Sequence, residues 1–134
     1  MNFVHLHNHT HYSLLDGLTQ IDELVDTAKE QGSSAVALTD HGVMHGVIDF
    51  YKKCQKEGIK PVIGFEAYIT PTSRHEKATN EDKKNYHLLL LAKNNTGYYN
   101  LIQLSTLAHL EGFYYKPRID WEILRQYSEG VIGA

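Results

Sequence analysis

The chain has 134 residues, of which 42% are hydrophobic, a formal net charge of −3 and a single cysteine. It is long enough to form one domain with its own core, and its charge excludes the global basic field of most nucleic-acid-binding surfaces, so any nucleic-acid contact must be local. The lone Cys54 fits a reducing compartment, and the absence of a signal peptide or a membrane-length apolar stretch predicts a soluble, cytoplasmic protein with no membrane partner.

The first predicted element is a strand over 3–9, and it carries the most unusual pattern of the sequence. Histidines occupy alternate positions: His5, His7, His9 and His11. Alternate side chains of an extended strand point to the same side, so all four imidazoles are expected on one face. Neutral imidazole is a common metal ligand, and a His-x-His pair brings two imidazoles within reach of one ion. A low-complexity tract, or histidines that only make hydrogen bonds, are the alternative interpretations.

Helix and strand signals alternate along the rest of the chain. Thr19 is the expected N-cap of a first helix, whose apolar residues repeat at helical spacing up to Gly32. The apolar run 35–39 is typical of a strand covered on both faces, and the helix after it is expected to end at Gly58. Further elements are expected as buried strands at 61–65, 88–92 and from 131, and as helices around 98–105 and after Asp120. The stretch 70–85 has no periodicity and is predicted to be a solvated loop.

Alternating helices and buried strands predict a parallel α/β architecture. In such folds functional groups collect where strands end and the following loops begin. Side chains that can bind a metal follow three predicted strands: His7 and His9, then Asp40 and His41, then Glu66. His87 precedes its strand, so its position alone predicts only a hydrogen-bonding role. The pattern indicates a metal site at the carboxyl ends of the strands.

Three motifs carry a resemblance to a known family. They are His-Leu-His-Asn-His-Thr-His-Tyr-Ser-Leu-Leu-Asp-Gly (5–17), Leu-Thr-Asp-His-Gly (38–42) and Pro-Val-Ile-Gly-Phe-Glu-Ala-Tyr (61–68). Together they resemble the polymerase-and-histidinol-phosphatase (PHP) family. Blocks at 86–94, 97–101 and 112–121 are similar to its polymerase branch, the domain at the N-terminus of bacterial replicative DNA polymerases. The resemblance covers the whole chain and implies the N-terminal part of a distorted, TIM-like (β/α)7 barrel.

The resemblance also implies a cluster of up to three metal ions and assigns residues to it. The implied ligands are His7, His9, Asp16, His41, Glu66 and His87. Glu66 is expected to bridge two ions, and both Glu66 and Asp16 are expected to be catalytic. Asp40 matches no ligand position and is expected to orient an imidazole. Zn²⁺ and Mn²⁺ both suit this mixed ligand set. No ligand role is assigned to three further histidines, His5, His11 and His45.

Further ligands of the family, a Cys and a later Asp-x-His, would lie beyond Ala134. Residues 1–134 are therefore expected to be a PHP domain truncated at its C-terminal side, with the polymerase domains absent. Such a chain is expected to be weak or inactive by itself.

For function, the resemblance implies a metal-dependent phosphoesterase, a 3′–5′ exonuclease that proofreads within a DNA-directed DNA polymerase. The implied partners are DNA, at the primer 3′ end, and other subunits of the replicative polymerase. Lys116 and Arg118 are candidates for a contact with phosphate or DNA. The alternatives are a stand-alone phosphatase for a small monoester such as histidinol phosphate, and a non-catalytic scaffold that binds a proofreading subunit. Every ligand position within the chain is filled, which favours a catalytic domain over a scaffold.

Overall fold

The computed structural model describes residues 3–134 and shows a mixed α/β fold. Its helices are α1 (Ile21–Glu30), α2 (Val47–Glu57), α3 (Asn95–Leu110) and α4 (Trp121–Gln126). Its strands are β1 (Ala35–Leu38), β2 (Lys60–Ile69), β3 (Tyr86–Ala92), β4 (Arg118–Ile119) and β5 (Val131–Gly133). Among the residues described, no helix combines the length and the apolar character needed to cross a membrane.

The strands form one mixed sheet with β2 at its centre. The first half of β2 pairs in parallel with β1, and its second half pairs antiparallel with β3 and in parallel with the short β4. β5 extends the sheet antiparallel to β3. The predicted parallel α/β architecture is therefore correct for the pairing of β2 with β1 and β4 but wrong for β3 and β5. Loop 70–85, which joins β2 to β3, contains only a single 3-10 turn, whereas parallel neighbours are usually joined through an α-helix.

The segment 3–9 does not form the predicted strand, although it lies beside β1. The N–H of Ala37 donates to the carbonyl of His5, and the N–H of Thr39 donates to the carbonyl of Asn8, both at 3.0 Å. The chain advances three residues from His5 to Asn8 while its partner advances only two residues, from Ala37 to Thr39. The two segments therefore cannot form a regular β-ladder here. The Asn8 amide donates to the carbonyls of His5 and Ala37, and Thr39 Oγ1 accepts the Asn8 N–H. Side-chain hydrogen bonds therefore replace part of the ladder.

The core has two parts. One lies between α1, α2 and β1 and includes the fully buried Val25 and Phe50, which the helical spacing placed on the inner faces. The other lies between the central strands, α3 and α4 and includes Phe65 and Leu101. Both clusters pack helices against the sheet that contains β2, and β2 carries the central residue of the candidate site.

Several predicted boundaries shift by small amounts. The N-cap of α1 is Gln20 and not Thr19, and the backbone N–H of Gln20 donates to the Glu23 carboxylate at 3.2 Å. The end of α2 at Gly58 is confirmed, with the glycine in the left-handed conformation at φ +72°. The strand at 131 exists, but Ile132 is 48% exposed, so this strand is not buried as predicted.

Loop 70–85 is only in part the solvated loop that its composition predicts, because residues 75–81, 83 and 84 are exposed but others are buried. The side chains of Arg74 and Asp82 are buried within it. The Asp82 carboxylate accepts hydrogen bonds from the hydroxyl of Thr72, from the N–H of Ala78, and from both the N–H and the hydroxyl of Thr79. These bonds, led by those of Thr79, lower the pKa of Asp82 to about 2.

We expect Asp82→Asn to lower the melting temperature by roughly 5 °C at neutral pH, because the amide nitrogen would face hydrogen-bond donors. The carboxylate has a lower pKa in the folded state than in the unfolded state, so its contribution is complete above the unfolded value near ~4. That contribution is lost as the pH falls toward about 2. Thermal melts of both proteins across this range test the expectation. A difference in melting temperature that is constant from neutral to acidic pH would contradict it.

Candidate metal centre

The Glu66 side chain lies at the centre of the candidate site, buried within β2. Its Oε2 atom is 2.7 Å from Nε2 of His7, 3.0 Å from Nε2 of His9 and 3.4 Å from Nδ1 of His41. Its Oε1 atom is 2.6 Å from Nδ1 of His87. One carboxylate therefore lies among four imidazoles that come from three separate parts of the chain.

The sheet explains how these side chains meet. His41 follows β1 and forms a parallel bridge with Glu66, whose N–H donates to the carbonyl of Asp40 at 3.0 Å. Glu66 lies inside β2, because that strand continues past the predicted end at Phe65. His87 begins β3, and an antiparallel strand starts beside the carboxyl-terminal half of its neighbour. His87 lies in the site because β3 runs antiparallel to β2, although His87 precedes the strand predicted at 88–92.

Two groups of three residues have donor atoms that lie within 4.8 Å of one another. The first group is His7, His9 and Glu66, and the second is His41, Glu66 and His87. Both groups contain Glu66, which is the arrangement expected of a carboxylate shared by two ions.

The donor atoms of these groups fit a metal ion. Nε2 of His7 lies 3.1 Å from Nε2 of His9, although each nitrogen also faces the Glu66 carboxylate. Nδ1 of His41 is buried and makes no hydrogen bond within residues 3–134. Buried polar atoms that face one another without full pairing are costly, and a cation among them would satisfy the nitrogens and the carboxylate together. Nitrogen and carboxylate ligands suit transition metals such as zinc.

The electrostatics of the site favour the protonation states that bind metal. Burial alone would raise the pKa of Glu66, but the hydrogen bonds from His7 and His87 and the charge of His41 outweigh it, and the pKa lies below its ordinary value. Burial and the nearby His9 lower the pKa of His41. Both shifts favour the forms that metal coordination requires, an ionised carboxylate and a neutral imidazole.

The two aspartates of the predicted site differ in their position. Asp16 is exposed, lies 4.0 Å from Nε2 of His41, and belongs to neither donor group. Asp40 is buried, and it accepts hydrogen bonds from the N–H and hydroxyl of Thr10 and from the hydroxyl of Ser13. Ser13 Oγ in turn accepts the N–H of His41 at 3.0 Å. Asp40 therefore acts on the backbone of His41 through Ser13 and makes no hydrogen bond to an imidazole within residues 3–134, so its expected role in orienting an imidazole stays a prediction.

The other histidines near the N-terminus lie apart from the donor groups. His5 packs edge-on against Phe3 and lines a cleft beside α1, so the prediction that all four alternating imidazoles share one face is wrong. The irregular backbone at 5–8 explains this change of direction. His11 packs against Tyr12, at 4.3 Å between ring centroids, and Tyr12 in turn meets the ring of His45.

Arg118 has a different role from the one predicted. Its side chain is fully buried, so the predicted contact with phosphate or DNA is wrong. The guanidinium donates to four backbone carbonyls, those of Arg74, Glu76, Asp82 and Gly112. Arg118 thereby joins loop 70–85 to the turn that precedes β4.

Lys116 is exposed, and its ammonium group lies over the ring of Tyr68, which in turn contacts the site. Its Nζ atom is 5.3 Å from the centroid of the Tyr68 ring. That ring stacks on His41, at 5.7 Å between centroids, and meets His87 edge-on at 5.0 Å. Tyr68 was not among the site residues predicted from the sequence. Its position two residues after Glu66, on the same face of a strand, was a usable signal.

These observations define an α/β domain with a candidate metal centre of imidazoles around a shared carboxylate, built on the central strand of a mixed sheet. Residues 5–134 match the family model of the PHP domain. The chain belongs to the PHP domain family, and the resemblance found in the sequence is confirmed.

Curated relatives agree with this family. The chain is 56% identical to DNA polymerase III subunit alpha of Aquifex aeolicus, over 98% of this chain and 12% of the relative. It is 53% identical to the same subunit of Treponema pallidum and 48% identical to that of Thermus aquaticus, in each case over 98% of this chain and 11% of the relative. The chain thus spans about a ninth of the length of these relatives.

Two solved structures are similar to the chain at a TM-score of 0.48, each over 75% of this chain and 32% of the other. One is a protein of Bifidobacterium adolescentis described as a metal-dependent phosphoesterase, at 20% identity. The other is an amidohydrolase of Chromobacterium violaceum, at 19% identity. Within residues 3–134 the strands form an open sheet, so the TIM-like barrel of which the sequence resemblance implies the N-terminal part stays a prediction.

Proposed function

We propose that this chain is the PHP domain of a replicative DNA polymerase alpha subunit and acts as a metal-dependent phosphodiesterase, a 3′–5′ exonuclease that removes mismatched nucleotides. The observation that carries the proposal is the Glu66 carboxylate shared by two groups of imidazoles. Bound Zn²⁺ or Mn²⁺ would lower the pKa of a coordinated water and stabilise the leaving oxygen of a phosphodiester. The identity of the relatives supports DNA as the substrate.

Each residue of the centre has a definite part in this proposal. His7 and His9 would hold one ion with Glu66, and His41 and His87 would hold the other. Asp16, exposed beside His41, would complete the ligand set on the solvent side. Lys116 would contact a phosphate of the substrate, since its ammonium group is exposed near the centre. The proposed partners are the primer 3′ end and other polymerase subunits, and the proposed location is the cytoplasm.

We expect His9→Ala to remove at least one metal ion per chain and to lower the melting temperature, because the remaining ligands would face one another unpaired. Elemental analysis after dialysis against Zn²⁺ or Mn²⁺ measures the metal content of the wild type and the variant. His45→Ala is the matched control, since this exposed histidine lies outside both donor groups. Less than one ion per wild-type chain, or equal metal content in the wild type and His9→Ala, would refute the proposed centre.

The substrate class is tested with the polymerase subunit that carries this domain. Metal-dependent removal of a mismatched 3′ nucleotide from a primer is the expected result. Hydrolysis of small phosphate monoesters without action on primer ends would instead support a phosphatase. Metal binding without hydrolysis of either substrate would support a scaffold that binds a proofreading subunit.

A further inference from the structure

A line of aromatic rings and ammonium groups leads away from the metal centre. We call it the aromatic strip, and it consists of Tyr68, Lys116, Tyr114, Tyr115 and Lys83. The Lys116 ammonium lies over the ring of Tyr68, and the N–H of Tyr114 donates to the carbonyl of Lys116 at 3.0 Å. The rings of Tyr114 and Tyr115 are 4.8 Å apart, and Lys83 Nζ lies 5.8 Å from the Tyr115 ring. Because Tyr68 contacts two imidazoles of the centre, the strip is continuous with it.

Tyr115 is held on the surface at a cost in free energy. Its side chain is 71% exposed, and its backbone is in the left-handed region at φ +60°. A residue other than glycine rarely adopts this conformation, and the surrounding structure must maintain it. Conformational strain of this kind is common at functional positions, and here its result is a large aromatic ring presented to solvent.

Arg118 provides a rigid base for the strip. Its guanidinium lies 5.3 Å from the centroid of the Tyr114 ring. It binds the carbonyl of Gly112, which begins the turn carrying Tyr114 and Tyr115, and the carbonyl of Asp82, which is adjacent to Lys83. The two segments that supply the strip are therefore fixed to one buried side chain. A surface that is fixed before binding loses little entropy when a ligand is bound.

The ammonium groups of the strip are available to an anion. Within residues 3–134, neither Lys83 nor Lys116 has a carboxylate at ion-pair distance. Lys84, next to Lys83, differs, because it forms an ion pair with Glu81 at 2.6 Å. The strip therefore adds a local positive charge beside the metal centre, although the chain as a whole carries a charge of −3.

We propose that the aromatic strip binds the single-stranded end of a nucleic acid. A base stacks on the exposed ring of Tyr115, and backbone phosphates contact Lys83 and Lys116. Aromatic side chains on which bases can stack, placed beside a basic track, are the usual means of binding single strands without sequence preference. The proposal rests on the proposed phosphodiesterase function, and it explains how an unpaired 3′ end, rather than a paired one, is directed toward Glu66.

The test measures binding separately from catalysis. A short fluorescein-labelled oligothymidylate with phosphorothioate linkages, which resist hydrolysis, is titrated with the protein and followed by fluorescence anisotropy. Tyr115→Asn removes the ring, while asparagine tolerates a left-handed backbone, so the fold is expected to retain its melting temperature. We expect about tenfold weaker binding, which corresponds to the loss of one stacked base. Tyr115→Phe keeps the ring and is expected to bind like the wild type.

Two further variants complete the test. Lys116→Gln is expected to weaken binding and to reduce its dependence on salt concentration, because one phosphate contact is lost. Tyr99→Gln is the matched control, since Tyr99 is a similarly exposed tyrosine at 65% that lies on α3, outside the strip. Equal affinities of the wild type and Tyr115→Asn, or an equal loss in Tyr99→Gln, would overturn the proposal.

The proposed function is tested independently with bis(p-nitrophenyl) phosphate, a diester without a single-stranded extension. Wild-type protein that hydrolyses this compound but does not bind the oligothymidylate would overturn the aromatic strip and leave the phosphodiesterase in place. Weaker oligothymidylate binding by Tyr115→Asn, in a polymerase subunit carrying this domain that does not hydrolyse bis(p-nitrophenyl) phosphate, would support the strip and refute the phosphodiesterase.

Discussion

Replacement of Glu66 by glutamine is expected to reduce metal-dependent excision of a mismatched 3′ nucleotide by roughly 10³-fold, since a shared metal ligand supplies several kcal/mol of transition-state stabilisation. The amide has nearly the same shape as the carboxylate, but it is neutral and has one acceptor oxygen instead of two. In the wild type, one oxygen of Glu66 faces His7 and the other faces His87. In the glutamine variant, one of these two imidazoles would face an NH₂ donor. Metal content is expected to fall together with activity.

The proposed polymerase subunit would allow excision and nucleotide addition to be measured in one preparation. Nucleotide addition should be unchanged by Glu66→Gln if the two reactions use separate sites. Glu30→Gln is a suitable control, because Glu30 is an exposed glutamate at the end of α1. Loss of both reactions together with a lower melting temperature would indicate a scaffold. Excision at the wild-type rate would contradict the role assigned to Glu66.

Arg118→Met is expected to lower the free energy of unfolding by about 3–5 kcal/mol, because four backbone carbonyls would lose their shared donor. The methionine side chain fills much of the same space and offers no hydrogen-bond donor. Burial lowers the pKa of Arg118, and the charge is tolerated because carbonyl oxygens surround the guanidinium. The chemistry of the metal centre does not involve this side chain, so metal content is expected to persist at temperatures where the variant is folded.

Urea unfolding of the wild type, Arg118→Met and Arg118→Lys measures this effect. Lysine keeps the charge but lacks the planar fork that reaches several carbonyls at once, so an intermediate stability is expected. Arg125→Met is the control, since Arg125 is exposed on α4. Equal losses of stability at Arg118 and Arg125 would contradict the structural role of Arg118.

The sequence predicted much of the centre because alternation and strand ends are local features. His7, His9, His41 and Glu66 were placed together by the rule that functional groups follow strands, and the structure brings their donor atoms within a few ångströms. His87 could not be placed by that rule, since the rule assumes parallel strands and β3 is antiparallel. The missing helical pattern in 70–85 was the available sign of this reversal.

The buried charges could not be predicted from the sequence. Asp82 occurs in a polar stretch that has no periodicity, and Arg118 is a basic residue two positions after Lys116, so their residue types indicated solvent exposure. Their burial depends on partners that are distant in sequence: the guanidinium of Arg118 meets the carbonyl of Asp82, 36 residues away. The pattern of polar and apolar residues within a short stretch of sequence does not show which distant residues meet in the folded chain.

The metal centre draws its ligands from distant parts of the chain. His7 lies 59 residues before Glu66, and His87 lies 21 residues after it. Contacts of this kind require the intervening loops to close, so the centre assembles together with the sheet and not before it. A peptide that contains only the histidine motif therefore lacks the centre, and metal affinity reports on the integrity of the whole fold. Substitutions in the apolar core, far from any ligand, should be detectable as weaker metal binding.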